Sequence, residues 1–201
     1  MSDLGALNVS RETLDKLSGF AELVRKWNPK INLVSKSSLE DLWKRHIVDS
    51  AQLFDLAEGE GRWIDLGSGG GFPGIVAAVL NQEKKRFQIT LIESDQRKCA
   101  FLRTAIRELE LTATVKNERI EILENQEADV LSARALADLK NLLGFCEMHL
   151  KSSGVALFPK GKSWKEEDEV ARQMWSYECD AITSKTDPDA AILRIKEITR
   201  V

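Results

Sequence analysis

Ten consecutive residues, Asp65-Leu66-Gly67-Ser68-Gly69-Gly70-Gly71-Phe72-Pro73-Gly74, carry the densest chemical signal in the chain. They overlap the apolar run Trp63-Ile64-Asp65-Leu66 and lead into Ile75 to Leu80, so the local pattern is strand, turn, helix. Glycines in such a turn let the backbone bend tightly and approach a ligand, and the helix start adds oriented N–H donors. A GxGxxG register exists at Gly69, Gly71 and Gly74, but it begins two residues too late after the strand to suit a dinucleotide. Asp-x-Gly-x-Gly-x-Gly from Asp65 fits better, because that carboxylate would accept from a ligand ammonium group and repel a pyrophosphate. Glu93 lies 26 residues beyond Gly67, at the end of a second apolar run, where an acid takes both hydroxyls of a ribose.

An ammonium group, a ribose and little phosphate describe S-adenosylmethionine; a nicotinamide dinucleotide fits less well. Absences narrow the chemistry. The four prolines are Pro29, Pro73, Pro159 and Pro188, and none is followed by Pro or Cys. The chain therefore has no Asn/Asp-Pro-Pro-aromatic loop for an exocyclic amine and no Pro-Cys nucleophile for a pyrimidine carbon. What remains is methylation of an atom that is already nucleophilic, such as guanine N7, whose lone pair needs no general base. Catalysis is then mainly positioning for in-line displacement, and no residue is assigned as covalently reactive.

The elements that must position these residues alternate. Ser10 is placed to cap a helix with Leu14, Leu17, Phe20, Ala21, Val24 and Trp27 at helical spacing, expected to end at Asn28-Pro29. Ser37 and Glu40 have capping-box spacing ahead of a stripe through Leu42, Trp43, His46 and Ile47 to Phe54, so roughly the first 60 residues read as helical. Beyond residue 62 come strands at 63–66, 87–92, 113–115, 129–131 and 155–158. Helices follow at 75–80, from Ser94 or Asp95 to Glu110, at 136–150 and at 163–175, and a hairpin is formed by 177–183 and 191–198. Pro159 is expected to stop the fifth strand. This alternation implies an α/β fold, a mostly parallel sheet with helices on both faces.

With 201 residues, 43% hydrophobic and 30% charged, the chain reads as one globular domain. Its longest clean apolar run, Ile75 to Leu80, is far short of a membrane span. Met1-Ser2-Asp3-Leu4 lacks the basic-then-apolar layout of a signal peptide, and the expectation is a cytosolic, cytoplasmic protein. Cys99, Cys146 and Cys179, with only His46 and His149, assemble neither a disulfide framework nor a metal site. The net charge of −3 conceals local clusters: six Lys/Arg lie between Arg25 and Arg45, and six between Lys84 and Arg103. Seven Asp/Glu between Thr104 and Asp129 compensate, which leaves room for basic surfaces on an acidic body.

Asn32-Leu33-Val34-Ser35, Arg45-His46-Ile47-Val48-Asp49-Ser50, the loop Asp65 to Ile75, Ser132-Ala133-Arg134-Ala135 and Lys160-Gly161 together resemble the bacterial small-subunit ribosomal RNA methyltransferase family RsmG, also called GidB. The likeness spans nearly the whole chain. Its most specific part is RHIxDS combined with GxGFPGI. The resemblance implies a Rossmann-like class I S-adenosylmethionine-dependent methyltransferase with a seven-stranded sheet. Residues 1–60 would form a helical extension packed on a core at 61–201. The activity implied is methyl transfer to N7 of one guanosine in 16S rRNA, the partner being that RNA or an assembling small subunit, with the protein a monomer that needs no metal and meets no membrane.

Carried over residue by residue, the resemblance implies cofactor contacts at Gly67 and Phe72, at Ile120 and Glu121, and at Arg134; Asp65, Gly69 and Glu93 join them from the chemistry above. Gly70 stands where members usually carry Ala or Pro, which is expected only to loosen the loop. One residue separates Ser132 from Arg134 where members usually have none, which weighs against a role for Ser132. Arg45, His46 and Lys160 are the candidates for RNA contact, although His46 also fits a packed position on its helical stripe, and Glu121 an exposed helix charge. Arg134 and Lys160 are the candidate positioning residues, Lys160 because loops at strand C-termini face the ligand crevice. Arg25, Lys26, Lys30 and Lys36 are candidates for phosphate contacts. Competing readings are a small-molecule methyltransferase, which would need no basic surface, and a non-catalytic ribosome- or RNA-binding protein, which would bind no cofactor.

Overall fold

A computed structural model describes residues 7–201, so the Met1 to Leu4 stretch lies outside the described residues. β1 (Gly61–Leu66), β2 (Phe87–Ile92), β3 (Ala113–Lys116), β4 (Ala128–Ala133) and β5 (Leu150–Lys160) are parallel. β6 (Trp175–Thr183) and β7 (Ala191–Arg200) complete one seven-stranded sheet in the order β3-β2-β1-β4-β5-β7-β6, with β7 antiparallel to both its neighbours. The chain runs outward from β1 to β3 and then returns to place β4 on the other side of β1. Ligands in open α/β sheets sit at such a switch, outside the strand carboxyl ends. Leu66 pairs with Ile92 on one side and Ala133 on the other, so Gly67, Glu93 and Arg134 leave the sheet at one level.

Helices cover both faces because the central strands are apolar on both. Trp63 points into a core shared with α1 (Arg11–Ile31), α3 (Asp49–Leu56), α4 (Gly74–Lys84) and α5 (Gln96–Glu108). Ile64 and Leu66, which alternate with Trp63 and Asp65 along the strand, point into the opposite core under α6 (Leu139–His149) and α7 (Trp164–Ala171). At the sheet edge, β6 alternates instead and exposes Glu178 and Asp180 near its middle, charges that discourage pairing with another chain.

The N-terminal helices pack on the α4 and α5 side through aromatic contacts. The Phe20 ring lies 5.1 Å from Phe72 and 6.3 Å from Phe101, and Trp27 meets Phe101 edge-on at 5.7 Å. Thr13 and Ser10 hydrogen-bond Glu83, fixing the start of α1 to α4. α3 is held by Arg86, whose guanidinium donates to Ala57 O at 2.8 Å and Phe54 O at 3.1 Å and lies 4.8 Å from the ring centres of Phe54 and Phe87. Those carbonyls are orphans of the helix end, and a cation is a suitable donor for them.

Several boundaries differ from the sequence expectations. α1 runs through Pro29 to Ile31, since at an exposed position the ring fits helical φ and removes a single bond; Asn32, with φ 47°, then closes the helix onto Asn28 O. Ser35, not Ser37, caps the next turn, α2 (Lys36–Leu39), accepting from Ser38 N at 3.2 Å. The stripe beyond it is a π-helical turn over Trp43–Val48. Pro159 does not stop β5: pairing with β4 ends at Leu157, and along that free edge a proline is tolerated while Pro159 stays in register with Ile192 of β7. α6 starts later than expected, where Asp138 caps Asn141 N, and α7 ends at Ala171, leaving Trp175 to open β6.

Arg86→Ala should destabilise the fold by about 2 kcal/mol, because two charge-assisted hydrogen bonds and the ring contacts go together. Denaturant unfolding monitored by Trp fluorescence measures this, and a midpoint equal to wild type would contradict the role given to Arg86.

Candidate functional site

β1 ends in a carboxylate that no solvent reaches. Asp65 is completely buried on the same strand face as Trp63, and its Oδ2 accepts from Gly74 N, the first residue of α4, at 3.1 Å. Oδ1 accepts from Ser132 Oγ at 2.7 Å, and Ser132 Oγ in turn accepts from Trp63 Nε1 at 2.9 Å. Burial pushes the Asp65 carboxyl up to about 6, against the opposing pull of these hydrogen bonds. This corrects the expectation that Asp65 meets a ligand ammonium: its acceptors are turned inward, and its work is to hold the start of α4 against β1 and β4. Gly74 makes that approach possible, since a Cβ there would lie 2.6 Å from Asp65 Oδ2. Ser132, which the sequence comparison with the family counted against, is a member of this network.

The glycine loop lies directly above. Gly67, Gly69 and Gly71 have φ of 60°, 52° and 84°, a region costly to residues with a Cβ. At Gly67 a Cβ would meet Leu136 Cδ1 at 2.6 Å, and at Gly69 nothing lies nearer than Gly67 O at 3.6 Å, so the backbone there faces open space. Gly70 has a different function from the loosening expected of it: a Cβ would come within 2.9 Å of Leu33 O, so the missing side chain lets the N-terminal segment pass over the loop.

Glu93 closes the loop from β2. Its Oε2 accepts from Gly69 N and its Oε1 from Asp95 N, each at 2.8 Å, while Asn117 Nδ2 donates to Glu93 O at 3.0 Å. Each carboxylate oxygen keeps a further lone pair, enough to accept from a pair of vicinal hydroxyls. Ile120 and Glu121 occupy a 3-10 turn beyond β3, Ile120 buried and Glu121 exposed, with Ile120 O 3.0 Å from His149 Nε2. They line a groove of about 600 Å³ that also includes Leu136, the residue packed against Gly67. Leu136 is the one residue that both lines this groove and packs against Gly67, while Gly69 and Glu93 are joined by their own hydrogen bond.

Phe72 is buried, its ring 4.8 Å from His46 and 5.1 Å from Phe20. His46 is accordingly corrected as an RNA contact: its ring faces the glycine loop, and both ring nitrogens are buried without a hydrogen-bond partner among the described residues. Burial, with Arg134 and Arg45 nearby, pulls its pKa down to about 3, so the imidazole is neutral. Arg134, beyond β4, donates to Arg45 O at 2.6 Å and lies 3.5 Å from Asp49 Oδ2, while its Nη1 is buried and unpartnered. Desolvation lowers its pKa. Arg45 is exposed.

Arg134, Arg45, Lys44 and Lys160 line a cavity of about 340 Å³ between the N-terminal helices, the end of β5 and the β6–β7 loop. Lys160 is less free than expected, donating to Ala137 O at 2.9 Å and Glu167 Oε2 at 2.7 Å. Asp41, Asp49 and Asp187 line the same cavity, so its wall is of mixed charge, four cations against three carboxylates. Sequence reasoning missed Asp49, Ser184 and Thr186, which meet at the cavity wall; only the RHIxDS string pointed to Asp49.

The Asp65 carboxyl sets a pH dependence. Between its ordinary 3.8 and about 6 the folded protein keeps a proton that the unfolded chain releases, so its stability contribution is complete below about 4 and is lost as pH rises through 6. Compared with Asp65→Asn, the wild type should gain on the order of 2–3 kcal/mol between pH 7 and pH 4. Unfolding curves of both proteins across that range would show it, and a difference that did not vary with pH would contradict it.

Comparison with known proteins supplies an independent line. A family model described as GidB, rRNA small subunit methyltransferase G, matches residues 13–189. The chain is 59% identical to ribosomal RNA small subunit methyltransferase G of Ruegeria sp. (strain TM1040), over 97% of this chain and 96% of the relative. It is 57% identical to the protein of the same name from Ruegeria pomeroyi, over 99% and 98%. Among solved structures it is similar to a TehB-like SAM-dependent methyltransferase from Corynebacterium glutamicum, with a TM-score of 0.60 at 14% identity over 90% of this chain and 99% of that one. It is also similar to a Pyrococcus abyssi tRNA (uracil-54, C5)-methyltransferase in complex with S-adenosyl-L-homocysteine, with a TM-score of 0.51 at 16% identity over 75% and 37%. At these identities the structural likeness establishes the fold.

Proposed function

The chain belongs to the GidB family, rRNA small subunit methyltransferase G, and from that premise we propose that it transfers the methyl group of S-adenosylmethionine to N7 of a guanosine in 16S rRNA. The observation that carries the reading is the level row of Gly67, Glu93 and Arg134 at the switch between β1 and β4, beside a cavity whose wall includes Lys44, Arg45, Arg134 and Lys160 along with three carboxylates. The cofactor fits this row. Open backbone at Gly69 accommodates its methionine portion, Glu93 has acceptors left for the ribose hydroxyls, and the unpartnered Nη1 of Arg134 suits its carboxylate. Ile120 and Glu121, which line the neighbouring groove, are the residues we assign to the base. When bound, the cofactor supplies an electrophilic methyl on a sulfonium centre.

The protein's part is positioning. Guanine N7 carries its own lone pair, so no side chain must remove a proton before attack. The 340 Å³ cavity holds the nucleoside, and Lys160, Arg45 and Lys44 at its wall attract the electron-rich base and flanking phosphates. Glu167 and Ala137 O hold the Lys160 ammonium in place. Neutral His46, pressed on Phe72, keeps the glycine loop tight against the N-terminal helices without adding a charge there.

We read residues 1–60 as an extension that lends this core an RNA-docking surface. Arg25, Lys26, Lys30, Lys36, Lys44 and Arg45 are all exposed, and the last two reach the cavity. The reading places the protein in the cytoplasm as a monomer acting on small-subunit rRNA. No helix among the described residues is long and apolar enough to cross a membrane.

The test is transfer of labelled methyl from S-adenosylmethionine to small-subunit rRNA from cells lacking the protein, followed by nucleoside chromatography. Label is expected in 7-methylguanosine, with transfer weakening steeply between roughly 50 and 200 mM salt. Gly67→Val, forced into positive φ against Leu136, should weaken cofactor binding by at least ~10-fold in calorimetry. Cofactor binding without labelled RNA, or transfer insensitive to salt, would favour a small-molecule acceptor.

A further inference from the structure

None of the roles above uses the Asp49 side chain, yet its carboxylate joins three stretches of chain far apart in sequence. Asp49 is the first residue of α3, and its side chain is 13% exposed. A carboxylate in the first turn of a helix commonly serves that helix's own N–H groups. This one does not: Oδ1 accepts from Ser184 Oγ and Thr186 Oγ1, both at 3.0 Å, in the loop between β6 and β7. Oδ2 lies 3.5 Å from Arg134 Nη2. Gln52, one turn on, reinforces the loop side, donating to Ser184 Oγ at 3.3 Å and accepting from Lys185 N at 2.8 Å.

Two oxygens of one group therefore face two walls of one cavity. Arg134 lines the cavity next to the cofactor row, and Ser184 and Thr186 line it from the β6–β7 loop, on the other side of the Asp49 carboxylate. The same Nη2 donates to Arg45 O at 2.6 Å, so Arg45 O and the Asp49 carboxylate together hold that end of the guanidinium. Ser184 is buried, unusual for a serine in a loop whose neighbour Lys185 is exposed, because its hydroxyl is spent on Asp49, Gln52 and Thr186.

We propose that Asp49 is a positioning residue for methyl transfer, making the cofactor side and the RNA side of the cavity move as one unit by holding Arg134 on one oxygen and the β6–β7 loop on the other. The proposal rests on the reading of Arg134 as a cofactor contact and of the cavity as the seat of the nucleoside. The two ends can be cut separately. Asp49→Asn keeps the size and can leave its carbonyl toward Ser184 and Thr186, but then turns an NH₂ toward Arg134, where two donors cannot bond. Ser184→Ala with Thr186→Val frees the loop while leaving the carboxylate beside Arg134.

Each change should lower kcat/KM for methyl transfer to rRNA by ~10-fold, and all three substitutions together should also cost ~10-fold, not ~100-fold, since either cut releases the same unit. The loop pair should in addition weaken S-adenosylhomocysteine binding several-fold by calorimetry, although neither residue adjoins the glycine loop. A loop tie that served stability alone would lower the thermal midpoint and leave that affinity unchanged. Losses that multiply, or unchanged affinity in the loop variant, would overturn the proposal in an enzyme that still methylates rRNA. A wild-type protein that methylates no RNA would overturn the reading beneath it, and the proposal with it. Should Asp49→Asn not fold, the loop pair and its S-adenosylhomocysteine affinity carry the test alone, with the same outcomes for that variant.

Discussion

Between β1 and α4 the chain must reverse over an acidic group sealed from water, and the site depends on how that group is satisfied. Asp65 is buried completely, at a position where an unpaired carboxylate would cost several kcal/mol. Its two oxygens find the N–H of Gly74 and the hydroxyl of Ser132, which binds the start of α4 and the end of β4 to the end of β1. The indole of Trp63 completes the chain of donors. Because these partners come from three elements, their geometry fixes where the glycine loop can lie and places Arg134 beside it. The elevated pKa of Asp65 is the measure of what this arrangement sacrifices in stability at neutral pH.

Above that clamp the loop is shaped by what its residues lack. Positive φ at Gly67, Gly69 and Gly71 turns backbone toward the crevice, and the absent side chain of Gly70 lets Leu33 cross it. The N-terminal helices are thus part of the site wall. Phe20 and His46 pack on Phe72, Arg45 O receives Arg134, and Asp49 reaches the β6–β7 loop. Neutrality of His46 matters here, since a third cation beside Arg45 and Arg134 would add repulsion in a dry environment.

Charge is divided by location. The whole chain carries −3, yet the exposed cations of the N-terminal helices lead to a cavity walled by Lys44, Arg45, Arg134 and Lys160. A net charge describes solubility, whereas an RNA substrate responds to the local field near its phosphates.

The alternation of strands and helices, the glycine loop at the first strand end and the family could all be read from the order of residues. β2 was legible to the residue, because Phe87, Ile89 and Leu91 alternate with the less buried Gln88 and Thr90 before Ile92, and Glu93 ends the run. Helix ends were less legible: Pro29 and Pro159 break a local pattern, but whether they end an element depends on whether a neighbour needs the missing N–H. Tertiary structure alone decided what the polar side chains do. Asp65 turned from ligand to scaffold, His46 took the packed one of its two open readings, Lys160 paired with Glu167, and Asp49 went from an unassigned motif letter to a tie between distant segments. The reason is physical: backbone periodicity is written in near neighbours, while a carboxylate or imidazole takes its role from partners up to 137 residues away, as Asp49 does with Thr186.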